Sequence, residues 1–263
     1  MISTIKNRSS LDIQRAVVNA LFLREMKTRF GIYKLGYFWA IAEPAAIIVV
    51  FWVMIGFHMR GSMPGIDYPM FLMTGMVPWN LFSSIVKRSA SAFQSNRGLF
   101  NYRQVKPIDT LIARALVECL VYFFVFVLFM IIGAMIGFDA GVDNLPRLVL
   151  VLGELSLFAF SLGLLNAVIG TFSENFPKVI GLIMRPLFFT SGIFFAVESV
   201  PEQFRWILLL NPLLHFLEKI RSAYFAAFDS PYTDSLYMLA WTVCFTVTAL
   251  WLYVKLQNRI IAS

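Results

Sequence analysis

The sequence predicts an all-α membrane protein, and three observations carry that reading. Apolar residues make up 59% of the 263-residue chain and charged residues only 14%, against roughly 25% charged in ordinary soluble domains. The mean hydropathy is +0.74, with 27 Phe in the chain. The apolar residues gather into long runs, and roughly 20 such residues are what a helix needs to cross a hydrocarbon core about 30 Å thick. Helices satisfy every backbone hydrogen bond internally, and the runs lack the alternation of a membrane barrel strand.

Residues 1–35 read as a tail and an interface helix. Ile13, Val17, Ala20 and Leu21 share one helical face while Asp12, Arg15 and Asn19 share the other, which is an amphipathic start. From Arg24 onward charges intrude on the apolar face, so a helix lying in the membrane interface is expected to bend or end near residues 30–36, where Gly31 and Gly36 sit. The first 34 residues are charged throughout, so no cleavable signal peptide is expected and the first span serves as its own insertion signal.

Residues 36–263 read as one transmembrane domain of six helices, with spans at 37–58, 68–86, 111–138, 147–172, 179–199 and 235–256. Between spans five and six, Phe204 to Leu210 and Leu213 to Leu217 are apolar runs too short to cross, parted by Asn211-Pro212. Proline cannot donate a backbone hydrogen bond, so the stretch 200–234 predicts a helical hairpin on the outer side, re-entrant or interfacial.

Orientation follows from the basic residues. Lys6, Arg8, Arg15, Arg24, Lys27, Arg29 and Lys34 precede span one; Lys87, Arg88, Arg97, Arg103, Lys106 and Arg114 lie in or beside the loop after span two; Lys178, Lys255 and Arg259 fall on the same side. The other side holds Arg60, Arg147, Arg205, Lys219 and Arg221. Both termini are therefore expected in the cytoplasm, and the net charge of +7 reads as a topology signal with no need of nucleic acid.

Several chemistries are excluded. No G-x-x-x-x-G-K-[ST], G-x-S-x-G or H-E-x-x-H motif occurs, and no Cys pair has metal spacing. Cys119 and Cys244 fall in apolar runs and read as small buried residues. No stretch outside the spans is long enough for a nucleotide-binding domain, so the chain reads as no enzyme. Glu43, Glu118, Glu154 and Arg185 are the ionisable residues at membrane depth. Such groups pair or serve function, because an isolated charge there costs about 2.5 to 3.5 kcal/mol. Glu43, Glu118 and Arg185 lie at one depth, about 10 Å inside the cytoplasmic boundary at 1.5 Å per residue, so Arg185 is expected to pair with Glu118 or Glu43, within a protomer or across a dimer. Asn166 and the G-x-x-x-G of Gly133 and Gly137 read as helix-packing devices.

The strings Leu21-Phe-Leu-Arg-Glu-Met-Lys-Thr-Arg-Phe-Gly31, Leu35-Gly-Tyr-Phe-Trp-Ala-Ile-Ala-Glu-Pro44, Asn96-Arg-Gly-Leu-Phe-Asn-Tyr-Arg-Gln-Val-Lys-Pro-Ile-Asp109, Ile112-Ala-Arg-Ala115 and Asn211-Pro-Leu213 together resemble the permease subunit of bacterial capsular polysaccharide ABC exporters, in the ABC-2 type transporter superfamily. The resemblance implies a homodimer in the inner membrane, joined to two copies of a separate ATPase that carries the ATP and Mg. The cargo it implies is a lipid-anchored capsule glycan, handed to periplasmic and outer-membrane export proteins. It places the ATPase-coupling element after span two, over residues 93–109, with Phe93, Arg97, Tyr102, Arg103 and Lys106 as contacts. It also sets spans one and five beside the channel, so Phe38, Trp39, Phe51, Trp52, Phe57, Phe188, Phe189, Phe194 and Phe195 become candidates for a sugar path. Flat rings bind the apolar faces of sugars without fixing their register, though rings in spans also serve as packing or interfacial belts. Arg24, Lys27, Arg29 and Lys34 form the expected cytoplasmic mouth, suited to a phosphate-bearing glycan or to anionic headgroups. The competing readings are export of O-antigen, teichoic acid or a drug by the same superfamily, or an ion-coupled carrier. A carrier needs coupling carboxylates near the bilayer centre, and Glu43 and Glu118 sit nearer one face.

Overall fold

The computed structural model of the chain describes residues 9–30, 36–55, 65–173 and 175–262, and every regular element among them is helical. Lys34 and Phe57 lie outside the described residues, as do the side chains of Phe38 and Trp39. Helix α1 (Ser10–Phe30) is capped by Ser9 and Asp12, the Ser9 hydroxyl donating to the Asp12 carboxylate at 2.8 Å, a short-range arrangement that satisfies the first turn. On its expected apolar face Leu21 is buried and Ile13 and Val17 are half-buried, but Ala20 is exposed along with Asp12, Arg15 and Asn19.

Helices α2 (Gly36–Ile55) and α3 (Tyr68–Ser89) follow. The latter is the most enclosed element, with Met70 to Trp79 buried in sequence around an internal Pro78. After the short α4 (Ala92–Ser95) come α5 (Pro107–Ile136), α6 (Leu145–Thr171), α7 (Phe176–Thr190), α8 (Glu202–Leu209), α9 (Pro212–Tyr224) and α10 (Ser235–Ala262). Three of these, α5, α6 and α10, are long and apolar enough to cross a membrane; α2 carries a shorter apolar core, Ile41–Met54. The core runs between α3, α5, α6 and α9, with Phe82, Phe158 and Phe216 stacked in series at 5.8 and 5.4 Å.

Two packing expectations need correction. Gly133 seats α5 on α3, since a Cβ there would lie 2.5 Å from the Met70 sulfur, but Gly137 meets nothing. It ends α5 instead, with φ of 98° and its N–H donating to the Ala134 carbonyl, a left-handed cap that glycine adopts without a Cβ penalty. Cys244 is exposed and Cys119 half-buried, both as free thiols, so neither is a fully buried packing residue.

Span five is shorter than the sequence suggests. The expected run 179–199 is helical only as far as Thr190; Gly192 then takes φ of 72° and the chain turns. The break at Asn211-Pro212 parts α8 from α9, where the Asn211 side chain accepts from the Leu213 N–H at 3.0 Å and Pro212 occupies the first helical turn, where its missing N–H costs nothing. Helix α9 has ten buried residues and α8 none. Its C-terminus is tied to the loop after α5, with Asp143 N–H donating to Tyr224 O at 3.0 Å and Asn144 N–H to Ala223 O at 2.9 Å.

Candidate functional site

The segment between α3 and α5 is a compact, structured element. Helix α3 ends at Ser89, and the chain folds through α4 and a 3-10 turn over Arg97–Leu99 before α5 opens at Pro107. Two glycines of α6 make the close approach possible. A Cβ on Gly163 would fall 2.6 Å from the Ser89 hydroxyl oxygen, and one on Gly170 only 2.0 Å from the Ala90 carbonyl oxygen, so the corner lies directly on α6 backbone. Gln94 Nε2 then donates to the Gly170 carbonyl at 2.8 Å.

Phe93 is buried rather than available to a partner. Its ring meets Phe100 and Tyr253, each at 6.3 Å, in a small core shared with α6 and α10. Burying a Phe contributes about 1.5 to 3 kcal/mol, which fastens the segment to the bundle. Arg97, Tyr102, Arg103 and Lys106 are all exposed, Tyr102 to 66%. The segment thus sets an anchoring ring below and a cationic, solvent-facing surface above. The expected range 93–109 runs into the first turn of α5, which opens at Pro107, where Asp109 caps the helix by accepting from the Lys106 N–H at 2.9 Å.

Helix α1 is strapped to this segment and to the first turns of α5 at three points. Gln14 Nε2 donates to Asp109 at 3.2 Å, the Arg24 guanidinium donates to the buried Asn96, and Glu25 pairs with Arg114 at 3.1 Å, whose guanidinium also donates to the Arg88 carbonyl at 2.6 Å. The fourth link corrects the expected intramembrane pairing. Within the protomer Glu118 pairs with Arg29 at 2.5 Å and Arg88 at 3.2 Å, and not with Arg185. Glu43 and Arg185 are both exposed, and neither forms an ion pair among the described residues. The reason is that α1 packs against α5 and α3 ends beside it, so an arginine from α1 and one from α3 reach the carboxylate. Of the expected mouth residues, Arg24 and Arg29 are thus held in structural bonds, while Lys27 is exposed.

Several expected path aromatics come together. Phe51 of α2 stacks on Phe194 at 4.1 Å, and Phe194 meets Phe188 at 5.2 Å and Phe189 at 6.3 Å. The rings join α2 to the end of α7, and Phe189 is 62% exposed. Trp52 belongs elsewhere, edge-on to Phe138 at 5.8 Å, and Phe195 is half-buried without a ring contact among those described.

At the opposite end lies a cluster that the sequence reading passed over. Arg221 of α9 is fully buried; it donates to the carbonyls of Gly192 at 2.7 Å and Ile193 at 2.8 Å, and lies 3.6 Å over the Phe71 ring. Gly75 of α3 leaves room for it, since a Cβ there would meet the guanidinium at 2.6 Å. Glu218, one turn earlier, pairs with Arg221 at 3.6 Å and accepts from the Val197 N–H at 3.3 Å. Burial pushes the Glu218 carboxyl up to about 7 against the pull of Arg221, and lowers Arg221 to about 10. This cluster holds the turn that follows α7: the Gly192 and Ile193 carbonyls are bonded by a side chain 28 or 29 residues away. The signal in sequence was a charged i, i+3 pair directly after the apolar run Leu213 to Leu217.

The ABC-2 type transporter family matches residues 16–225. The chain is 41% identical to the polysialic acid transport protein KpsM of Escherichia coli over 97% of its own length and 99% of that protein. It is 30% identical to the capsule polysaccharide export inner-membrane protein BexB of Haemophilus influenzae, over 83% and 82% of the two chains. The O-antigen export system permease protein RfbA of Klebsiella pneumoniae is more distant, 25% identical over 90% of each. With the family match covering both the segment between α3 and α5 and the α9 cluster, the chain belongs to the ABC-2 type transporter family.

Proposed function

We infer that the chain is the channel-forming inner-membrane subunit of an ATP-driven exporter of capsular polysaccharide. The observation that carries this reading is its 41% identity, end to end, with a polysialic acid transport protein. Six helices cross the membrane and both termini lie in the cytoplasm, an orientation supported by the basic residues gathered at the α1 and α4 end. Helix α7, at 15 residues and about 22 Å, completes its crossing through the turn after Thr190, which is tolerable because that backbone is buried in protein. The hairpin is re-entrant: α9 is its returning limb, supported by burial on nearly every side, and α8 lies at the outer interface.

ATP hydrolysis belongs to a separate ATPase, one copy for each chain of a homodimer. The ATPase grips the exposed Arg97, Tyr102, Arg103 and Lys106. Because the same segment is bonded to α1 through Asn96 and follows directly on Arg88 of the Arg88–Glu118–Arg29 cluster, movement at the docking face is passed to the starts of α2 and α5. The polymer slides over the rings of α2 and α7 between protomers, and Lys27 with Arg24 draws its anionic anchor to the cytoplasmic mouth. The test is complementation of a capsule-export null strain. Expression of this chain should restore glycan at the cell surface; glycan retained in the cytoplasm, or rescue of O-antigen export alone, contradicts the reading.

A further inference from the structure

The outward side of α5 carries a hollow that none of these roles uses. Between α1 and α5 lies an open cleft of about 760 Å³. Its α5 wall runs from Ile112 to Phe123, and its α1 wall presents Phe22, Asn19, Gln14 and Arg15. Eleven residues of helix at 1.5 Å each make that wall about 16 Å long, close to half of a hydrocarbon core about 30 Å thick. The floor is apolar, and the polar side chains stand on the amphipathic helix alone. Arg15 is exposed, and the nearby acid Asp12 is occupied by its cap with Ser9.

We propose that this cleft is a binding site for one anionic phospholipid of the inner leaflet, its phosphate on Arg15 and one acyl chain along α5 as far as Phe123. Charge complementarity selects the headgroup, and the wall length selects a single leaflet. The site touches the coupling machinery, because Gln14 lines the cleft and also holds Asp109 at the start of α5. A seated lipid therefore clamps α1 against α5 and keeps the strap closed. The proposal rests on the cytoplasmic placement of α1 and not on which glycan is exported, so failure of the export assay leaves it intact.

The test is native mass spectrometry of the full-length chain released from nanodiscs containing equal phosphatidylglycerol and phosphatidylethanolamine. One phosphatidylglycerol per chain should stay bound, favoured by about fivefold, as expected from roughly one basic contact. Arg15→Gln should bring the ratio near one, and Leu116→Trp, which fills the exposed α5 wall, should remove the lipid altogether. Arg147→Gln on the opposite side should retain both the lipid and the preference, which controls for folding. No retained lipid, retention without headgroup preference, or dimer loss in Leu116→Trp without lipid loss would each overturn the site.

Discussion

Glu118 and Glu218 are both carboxylates with 2% exposure or less, yet they sit in opposite kinds of charge cluster. Glu118 gathers its partners from two other helices, Arg29 of α1 and Arg88 at the end of α3, and Arg88 is 49% exposed. Glu218 has its partner on its own helix, and that partner spends its donors on the carbonyls of a turn. The first cluster joins elements that can part into water, where each arginine is readily solvated. The second has no water to fall back on, and its parts move together or not at all. The contrast assigns motion to the basic end of the bundle and rigidity to the α9 end.

The sharpest way to break that contrast is Arg221→Met, which preserves bulk but leaves Glu218 and two carbonyls without their donor. Removing one partner of a buried ion pair costs about 3 to 5 kcal/mol, and thermal unfolding in detergent should show a loss of that order, partly restored by adding Glu218→Gln. A loss below about 1 kcal/mol would mean that the α9 cluster is not a rigid anchor.

A smaller effect is expected from pH. The Glu218 carboxyl rises from 4.5 to about 7 in the folded chain, so the folded state holds its proton more tightly than the unfolded one. The contribution of this residue is therefore fully present below about pH 4.5 and is lost as pH climbs towards 7, by about 3 kcal/mol at 1.36 kcal/mol per unit. Comparing Glu218→Gln with the parent across pH 5 to 8 isolates the residue, and the variant should lack this component.

Glu118→Gln should cost less, about 1 kcal/mol, because its arginines can turn to solvent. Its signature is local: hydrogen exchange should rise in α1 and leave α9 unchanged. Equal loosening of both helices would erase the distinction between the two ends.

Much of the architecture was legible in the sequence. The runs that became α5, α6 and α10 were found within a few residues of their ends, since long apolar segments leave little choice of structure in a bilayer. Asn211-Pro212 announced the break between α8 and α9 through the chemistry of its two residues. What stayed hidden depended on distant neighbours. Arg185 lay level with Glu118, but depth along a helix says nothing of which face a side chain takes, and Arg29 and Arg88 were nearer. Phe93 was indistinguishable from an exposed contact until α10 supplied Tyr253. Gly163 and Gly170 were ordinary helix glycines in sequence, and only the folded corner at Ala90 gives them a purpose. The turn after α7 is held by Arg221, too far along the chain for any local pattern to report.

We propose that the exposed face of the segment between α3 and α5 couples a separate ATPase to export. Charge reversal at Arg97 and Arg103 tests it most directly, because both side chains point away from the bundle and their replacement should leave stability within about 0.5 kcal/mol of the parent. Co-purification of the ATPase and surface capsule should be measured together in the Arg97→Glu, Arg103→Glu double variant. Loss of both, with the chain present in the membrane at its normal level and unchanged in thermal stability, is the predicted result. Intact association and normal surface capsule in that variant would contradict the account.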